Sequence, residues 1–391
     1  MILAPDAAVP QRDALLSEDV VASLYPQART CQRVYAKYRV GESLRVVYRL
    51  DGTRHVAART FRDGESAGAY ERAQAGAVPV GPLPAVLHAH ELDAVFWTFP
   101  NDRKLATLPL LTSGSPELAG LLGRPCHGLS VVAYAAERSA SACCLDGEGN
   151  ALAYVKVHAG DGAEHERRQL AAAGSLVPRV LATSAEHGAL VLEPVPGARL
   201  DSLRGAELVH GLRGLGAALA RLHTATPVPD EPFTRLHPER LGKAVAVIAR
   251  ARPDAGRAAA LVLASLLSPR DHADEPAVCV HGDANLRNAI FDGERVALLD
   301  LEHAAAGPAA ADLGQLLAAL RTDRVLGRIT TSEETALADA LLDGYAAVTR
   351  APESLRWHTN AALLARVAQS AINRVREDVL PALVPLLEAA A

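Results

Sequence analysis

An internal duplication constrains this chain more than any other feature, because a repeated order of strands and helices fixes the architecture. Residues 44–61 and 141–157 both show a strand, an Asp-Gly turn and a returning strand, the pattern of a β-hairpin. A helical stretch and a second strand pair follow in each copy. Four short segments align between the copies: LDG at 50–52 and 145–147, YERAQ and HERRQ, PAVL and PRVL, and KLATL and RLDSL. We predict two related α+β units upstream of Leu200; the alternative is two unrelated pieces with common turn chemistry.

The composition indicates a folded protein of more than one domain. The chain has 391 residues, of which 49% are hydrophobic and 22% charged, so it should bury cores rather than stay disordered. Its 40 basic and 45 acidic residues leave no basic excess for binding nucleic acid. No apolar run reaches the roughly 20 residues of a membrane span, and the N-terminus lacks a signal-peptide pattern. We expect a cytoplasmic protein that binds neither nucleic acid nor membrane, with a homodimer left open.

Cysteine and lysine are both scarce, and each scarcity carries information. The five cysteines show neither CxxC nor Cys/His ligand spacing, so we predict neither structural zinc nor a disulfide framework. The chain has 36 arginines but only four lysines, which are Lys37, Lys104, Lys156 and Lys243. A lysine in an unusual position is therefore more informative here than an arginine.

The chain changes character near Leu200. Downstream, apolar residues recur every three or four positions, which is typical of helices. Residues 275–302 are the exception, because an apolar strand there enters a polar loop and a hairpin turns at Asp292-Gly293. The stretch TSGSPE at 112–117 is rich in turn residues and is the expected linker. We expect three parts, at 1–125, 126–198 and 199–391.

The polar loop carries the side chains that phosphoryl transfer from a nucleotide requires. It begins His-Gly-Asp at 281–283 and reaches Asn288, and the next strand ends at Asp300-Leu301-Glu302. The reaction needs a carboxylate that takes the proton of the acceptor hydroxyl, and oxygen ligands that hold Mg²⁺ against the phosphates. An aspartate, an amide five residues later and a second aspartate on the following hairpin can meet around one metal ion.

These motifs resemble those of the aminoglycoside phosphotransferase and choline kinase superfamily, which has the protein-kinase-like fold. They are H-G-D-x-x-x-x-N at 281–288, D-L-E at 300–302 and G-P-x-x-x-D-L-G at 307–314, and the resemblance covers about residues 130–391. It implies an α+β, two-lobed phosphotransferase with a β-rich N-lobe and a helical C-lobe, preceded here by a duplicated N-lobe-like module. Residues 1–125 would be a cap-like module, 126–198 the nucleotide-binding N-lobe and hinge, and 199–391 the catalytic C-lobe.

The same resemblance assigns roles within the loop. It implies that Asp283 is the catalytic base and that Asn288 and Asp300 bind Mg²⁺. Glu302 would reach a second metal ion through water; the alternative is a solvated surface residue.

Two neighbours would support the loop rather than react. His281 is expected to pack the loop, and Asp312 matches a buried aspartate that stiffens it in these families. For Asp312 an ordinary helix N-cap remains an alternative, since it opens the helical run LGQLLAAL.

Lys156 lies within the apolar strand ALAYVKV, where a buried ammonium group needs a partner. Nucleotide phosphates together with a carboxylate from the following helix would supply one. Of the two candidates, Glu166 is preferred to Glu164, because Leu170 follows at i+4 to face the core. The alternative is an edge-strand lysine whose stem lies on the surface and whose head is in water.

The run LVLEPVPG at 190–197 resembles the interlobe hinge of these families. Its backbone at Leu192, Glu193 and Val195 would contact the adenine of ATP. No GxGxxG precedes the strand of Lys156, because AAERSASACC stands there, so the loop that covers the phosphates stays unassigned.

The predicted function is that of an ATP-dependent, Mg²⁺-requiring kinase that phosphorylates a hydroxyl group of an antibiotic or a sugar-like molecule. With an antibiotic as acceptor, such an enzyme would confer resistance. Residues 200–391 carry 24 acidic and 20 basic residues, too slight an excess to favour cationic aminoglycosides over neutral sugars. The alternative is a non-catalytic, kinase-like binding or regulatory protein, but such proteins commonly lose one of the motif residues that this chain retains. A protein kinase is disfavoured because HGD and DLE replace HRD and DFG.

We expect one nucleotide site per chain. In the first copy Arg59 stands where Lys156 stands in the second, Glu71 stands where Glu166 does, and the run FWTFPND at 96–102 lacks the Pro-Gly ending. Because guanidinium and ammonium groups are not interchangeable beside phosphate, Lys156→Ala should weaken nucleotide use severely and Arg59→Ala should not. Calorimetry with a non-hydrolysable ATP analogue should give a stoichiometry near one. A greater loss of ATP binding in Arg59→Ala would contradict this interpretation.

Overall fold

Two five-stranded antiparallel sheets follow each other along the chain in the computed structural model, which describes residues 2–62, 64–268 and 275–390. Both sheets have the same strand order, first-second-third-fifth-fourth, as the sequence duplication predicts. The first sheet consists of β1 (Cys31–Arg39), β2 (Ser43–Leu50), β3 (Arg54–Thr60), β4 (Val86–Ala89) and β5 (Ala94–Thr98). The second consists of β6 (Gly128–Ala135), β7 (Ser139–Leu145), β8 (Ala151–His158), β9 (Val180–Ser184) and β10 (Ala189–Leu192).

Short helices accompany each sheet at equivalent places. The first unit has α1 (Arg12–Leu16) and α2 (Glu18–Leu24) before its first strand, and α3 (Ser66–Ala75) between its third and fourth. The second unit has α4 (Pro116–Leu122) and α5 (Gly162–Ala173) in the corresponding positions. The TSGSPE stretch, expected to be a linker, leads directly into α4.

One aspartate ahead of each sheet holds its first hairpin turn. In the first unit, Oδ2 of Asp6 accepts hydrogen bonds from the Tyr38 hydroxyl at 2.5 Å and from the Gly41 N–H at 2.6 Å. Gly41 has a positive φ of 78°, a conformation that glycine adopts without steric cost. The bonds fix the β1–β2 turn relative to the chain 35 positions upstream.

The second unit repeats this arrangement at the same spacing. Oδ2 of Asp102 accepts from the Tyr134 hydroxyl at 2.6 Å and from the Glu137 N–H at 3.0 Å, and Glu137 also has a positive φ, 67°. Tyrosine follows aspartate by 32 positions in both units. The second unit therefore includes Asp102, so the structural repeat begins ahead of the boundary that we placed between 125 and 126.

The remainder of the chain is helical, with two small sheets. The helices are α6 (Gly205–Ala225), α7 (Pro238–Ala251), α8 (Pro253–Leu266), α9 (Ala310–Val325), α10 (Thr331–Ala346), α11 (Leu355–Ala362), α12 (Gln369–Arg374) and α13 (Leu383–Glu388). A π-helical segment, Leu363–Ala368, joins α11 to α12. The strands β11 (Ala198–Arg199), β13 (Ala289–Phe291) and β14 (Val296–Leu298) form one small sheet, and β12 (Ala277–Val280) pairs with β15 (Ala305–Pro308).

The first unit packs against both other parts of the molecule. Its sheet shares one apolar core with the C-terminal helices, in which Phe96 and Ile248 are fully buried. The opposite side of the same sheet, including Val47, shares another core with the second sheet, including Val155. Burial on both faces stabilises the first unit as a fixed part of the fold.

Helices α6 and α10 come almost into backbone contact at two glycines. A Cβ atom on Gly216 would overlap the carbonyl oxygen of Leu341, and one on Gly344 would overlap that of Arg213. This close approach packs the middle of α6 against the C-terminal turns of α10.

Two expectations about residue usage can be compared with the structure. No helix in the described ranges has both the length and the apolar character that crossing a membrane requires. All five cysteines lie in those ranges, and none of them forms a disulfide bond there.

The α6–α10 contact predicts opposite effects for two Gly→Ala substitutions. Gly344→Ala should destabilise the fold by about 1–3 kcal/mol, because the added methyl group meets fixed backbone. Gly242 in α7 has no atom near its Cβ position, so Gly242→Ala should stabilise the protein by about 0.5–1 kcal/mol through its helix propensity. Urea denaturation measures both changes in the free energy of unfolding. Equal effects of the two substitutions would contradict the close approach.

Candidate active site

The polar loop is anchored by Asp312 at its first two residues. The Asp312 carboxylate accepts the N–H groups of His281 at 2.6 Å and of Gly282 at 2.9 Å. Gly282 has a φ of 73°, and a side chain there would overlap the carbonyl oxygen of His303. Asp312 lies inside the first turn of α9, after the capping residue Ala309, so it is not an N-cap.

A buried chain of side chains holds Asp312 in turn. His223 Nε2 lies 3.1 Å from the Asp312 carboxylate, and His223 Nδ1 lies 3.0 Å from the hydroxyl of Tyr345. Burial raises the pKa of Asp312, but the His223 hydrogen bond and the nearby imidazoles outweigh it, so the pKa is lowered. His281 itself bonds the carbonyl of Leu299 through Nε2 at 2.9 Å. The loop is thus tied to α6, α9 and α10 at once.

Asp283 and Asn288 are brought together by the turn between them. Asn288 Nδ2 donates to the Asp283 carbonyl at 3.2 Å, and Asn285 Nδ2 donates to the same oxygen at 2.8 Å. The Asn285 side-chain oxygen accepts the Asn288 N–H at 3.2 Å. Because Nδ2 of Asn288 is used within the loop, its Oδ1 is the atom left to face outward.

Lys156 connects the two lobes. Its Nζ lies 2.8 Å from Oε2 of Glu166 in α5 and 2.6 Å from Oδ1 of Asp300, which follows β14. Burial lowers the pKa of Lys156, but the surrounding carboxylates outweigh this and hold it above the ordinary value. Glu164 instead pairs with Arg167 at the surface. Strand β8 lies between β7 and β10, so the edge-strand alternative for Lys156 is wrong.

Three groups around Lys156 could be mistaken for a metal site. His158, Glu166 and Glu302 can bring their ligand atoms within 4.8 Å of one another. The ammonium group of Lys156 contacts both of these carboxylates, at 2.8 and 3.7 Å, so a cation is already present. Burial raises the pKa of Glu166, but His158 and Lys156 lower it to about 2. We assign His158 and Glu166 of this cluster to holding the lysine.

Glu302 is enclosed rather than solvated. It pairs with Arg138 and lies 3.3 Å from His303 Nε2, and only 13% of its side chain is exposed. Burial raises its pKa and the neighbouring Asp300 adds to this, against the opposing effect of Lys156. The surface alternative for Glu302 is therefore wrong.

The hinge-like segment, residues 190–197, leads from the end of β10 to β11. Leu192 pairs with Tyr154 of β8, and the Glu193 N–H donates to the carbonyl of Arg179 at 3.0 Å. The Glu193 carboxylate turns to the Arg179 guanidinium at 2.7 Å. Val195 is half-buried, and β11, just beyond it, pairs with β13 of the loop hairpin.

No motif in the sequence pointed to the β6–β7 turn, which lies ahead of the strand of Lys156. Glu137 in this turn is buried and contacts three arginines of the preceding chain: Arg45 at 3.1 Å, Arg59 at 3.0 Å and Arg103 at 2.8 Å. The next residue, Arg138, reaches across to the C-lobe. Burial raises the pKa of Glu137, but the arginines outweigh it and lower the pKa. In the sequence, the turn is marked by Glu137 and Arg138, two charged residues within a run of small ones.

Three side chains that surround Asp283 were also not predicted from the sequence. Arg366 forms a close ion pair with Oδ1 of Asp283, Arg235 Nη1 lies 3.6 Å from that oxygen, and Gln315 Nε2 lies 3.4 Å from it. Burial raises the pKa of Asp283, but the two guanidinium groups outweigh it and lower the pKa. No sequence signal marked these arginines, because arginine is abundant throughout the chain.

Comparisons with known proteins place this geometry in context. A thermostable mutant of aminoglycoside phosphotransferase APH(4)-Ia, in apo form, is 16% identical with a TM-score of 0.52, over 70% of this chain and 98% of that one. A choline/ethanolamine kinase family protein from Mesorhizobium loti is 19% identical with a TM-score of 0.46, over 73% and 91%. Aminoglycoside phosphotransferase APH(3'')-Id from Streptomyces rimosus is 20% identical with a TM-score of 0.45, over 67% and 100%. No curated protein sequence gave a match.

At these identities the first of the three structures shows the fold alone, and it confirms the expected two-lobed, kinase-like architecture. The sequence model of the phosphotransferase enzyme family matches residues 160–358, which is half of the chain and includes the whole polar loop. The chain belongs to the phosphotransferase enzyme family.

Proposed function

We propose that this protein is an ATP-dependent small-molecule kinase that transfers the γ-phosphate to a hydroxyl group. The observation that carries the proposal is the ion pair between Lys156 and Asp300, 2.6 Å apart across 144 positions of sequence. Phosphoryl transfer from ATP uses a strand lysine paired with a helix glutamate, beside an aspartate that binds Mg²⁺. Lys156 brings Glu166 and Asp300 together in this way.

Asp283 is proposed as the base. Oδ1 is engaged by Arg366, Arg235 and Gln315, whereas Oδ2 has no hydrogen bond within the described part of the chain. The lowered pKa keeps the carboxylate ionised at neutral pH. With 27% of its side chain exposed, Asp283 can accept the proton of an acceptor hydroxyl that arrives from solvent.

The donor atoms fit Mg²⁺. Asn288 Oδ1, the carboxylate of Asp300 and that of Glu302 are hard oxygen ligands of the kind that this ion prefers. Asp300 has a φ of 62°, a backbone conformation that is rare outside glycine and that sets the direction of its carboxylate. When bound, Mg²⁺ would neutralise charge on the β- and γ-phosphates.

The remaining nucleotide contacts are proposed from groups that face the hinge and the β6–β7 turn. At the hinge, the Glu193 N–H is already used by Arg179, which leaves the Glu193 carbonyl and the Val195 N–H for the adenine edge. Leu192 would flank the ring. Lys156 and Arg138, which pair with Asp300 and Glu302, are the proposed phosphate contacts.

Substrate-dependent ADP release tests the function. In a coupled assay over aminoglycosides, macrolides, nucleoside antibiotics, sugars and amino alcohols, at least one acceptor should raise ADP release, and excess EDTA should abolish it. Asp283→Ala should lower kcat by roughly 10²–10⁴-fold with nucleotide affinity retained. Asp19→Ala, an exposed change on α2, is the control.

Two results would contradict the proposal. One is phosphate transfer that persists in excess chelator, and the other is an Asp283→Ala variant that keeps more than a tenth of the wild-type turnover. Nucleotide binding without transfer to any acceptor class would favour the non-catalytic alternative.

The Glu137 turn yields a second prediction. Glu137→Gln leaves three arginines facing a neutral amide, and breaking a buried ion pair typically costs about 3–5 kcal/mol. The loosened turn should raise KM for ATP roughly tenfold, the equivalent of about 1.4 kcal/mol of binding. Arg59→Ala is the matched control, since Arg45 and Arg103 remain on Glu137. Initial rates at varied ATP measure both variants, and an unchanged KM in Glu137→Gln would show that this turn does not contact the nucleotide.

A further inference from the structure

Two arginines converge on the carboxylate of Asp283 from parts of the C-lobe that are far apart in sequence. Arg235 comes from the segment between α6 and α7, and Arg366 comes from the π-helical segment 363–368. Their side chains are 27% and 24% exposed, so both are mostly enclosed yet open to solvent on one side. They stand beside the atom at which the acceptor hydroxyl would react.

The segment that carries Arg235 is fixed by backbone pairing. Ala306 of β15 donates to the carbonyl of Glu231 at 2.7 Å and accepts the Phe233 N–H at 2.8 Å. A Cβ atom on Gly307 would press against the Phe233 side chain, so the two segments touch closely. Arg235 is therefore held at the site by the strand that follows the catalytic hairpin.

Arg366 is fixed by a different set of contacts. Its Nε donates to Oε1 of Gln315 at 3.1 Å, and Gln315 lies on α9, one turn beyond Asp312. The wider π-helical turn is of the kind that often marks a functional position. The two arginines thus reach Asp283 from independent supports.

The charges at this place do not balance. Two guanidinium groups contact the carboxylate of Asp283, and Arg235 makes no side-chain hydrogen bond within residues 2–62, 64–268 and 275–390. Arg138 and Glu302 also act on Arg235, but they pair with each other. A guanidinium carries five N–H donors, which are suited to carboxylate or phosphate oxygens. Burial and the neighbouring Arg366 lower the pKa of Arg235 to about 10, which still leaves it charged at neutral pH.

We infer that the acceptor carries an anionic group, a carboxylate or a phosphate, close to the hydroxyl that is phosphorylated, and that Arg235 and Arg366 bind this group. This inference rests on the proposed function and narrows its acceptor class. Polycationic acceptors such as aminoglycosides would instead meet two positive charges.

Three ligands on one carbon skeleton test the inference. The protein is first saturated with Mg²⁺ and a non-hydrolysable ATP analogue, which occupies the nucleotide site. Glycerol 3-phosphate, D-glycerate and glycerol are then titrated separately, and binding is followed by ligand-observed NMR. At least one of the two anions should bind ten or more times as tightly as glycerol. Which of the two binds more tightly shows whether the site prefers a phosphate or a carboxylate.

Substitutions then locate the binding. Arg235→Gln and Arg366→Gln should each reduce the preference for the anion at least fivefold, while Arg257→Gln, at an exposed position on α8, should keep it. Arg235→Lys should restore part of it. Retained affinity for the ATP analogue shows that each variant is folded.

Three results would overturn the inference: glycerol binding as tightly as both anions, no detectable anion binding, or a preference that survives Arg235→Gln combined with Arg366→Gln. The arginines would then serve only to position Asp283. Failure of the wild-type protein to bind the ATP analogue would overturn the proposed function itself. A failure of the inference and a failure of the proposed function are therefore distinguishable.

Discussion

The ammonium group of Lys156 is the point on which the two lobes depend. It is buried in the second sheet, and an unpaired charge there would be strongly destabilising. The carboxylate of Glu166 satisfies it from α5, and that of Asp300 satisfies it from the C-lobe. One cation therefore orients strand β8, helix α5 and the end of the β13–β14 hairpin together. The Asp312 network fixes the start of the polar loop, which carries the proposed base Asp283.

The duplication explains why only one half of the β-rich region carries this arrangement. Both units keep the strand order and the hydrogen bonds that an aspartate accepts from a tyrosine hydroxyl and a turn N–H. These features stabilise the backbone of each unit, whatever its function. They differ at the third strand. Arg59, at the position of Lys156, contacts Glu137 of the second unit, and Glu71 of α3 is exposed. In place of a nucleotide contact, the first unit supplies arginines to the turn beside the proposed phosphate position.

Local pattern was enough to predict the repeat, the change from β-rich to helical structure and the Lys156–Glu166 pairing, whereas the kinase-like fold followed from the resemblance of the loop motifs. Each of these depends on residues close in sequence or on alternation within one strand. The arginines around Asp283 were out of reach, since Arg366 is 83 positions away and belongs to a π-helical turn. The role of Asp102 was also not predicted, because its bond with Tyr134 joins residues 32 positions apart. The only sequence signal was the same spacing between Asp6 and Tyr38 in the first unit.

The ion pairs of Glu137 determine where the chain could be cut into fragments without exposing a buried, unpaired charge. A fragment that begins at residue 126 would lose Asp102, and with it the acceptor for the Tyr134 hydroxyl and the turn N–H. A fragment that begins just ahead of Asp102 would keep those bonds and Arg103, but it would leave the enclosed Glu137 without Arg45 and Arg59. The second unit thus depends on the first for the charges that balance Glu137, and a cut between the two units would leave a buried carboxylate with one arginine in place of three.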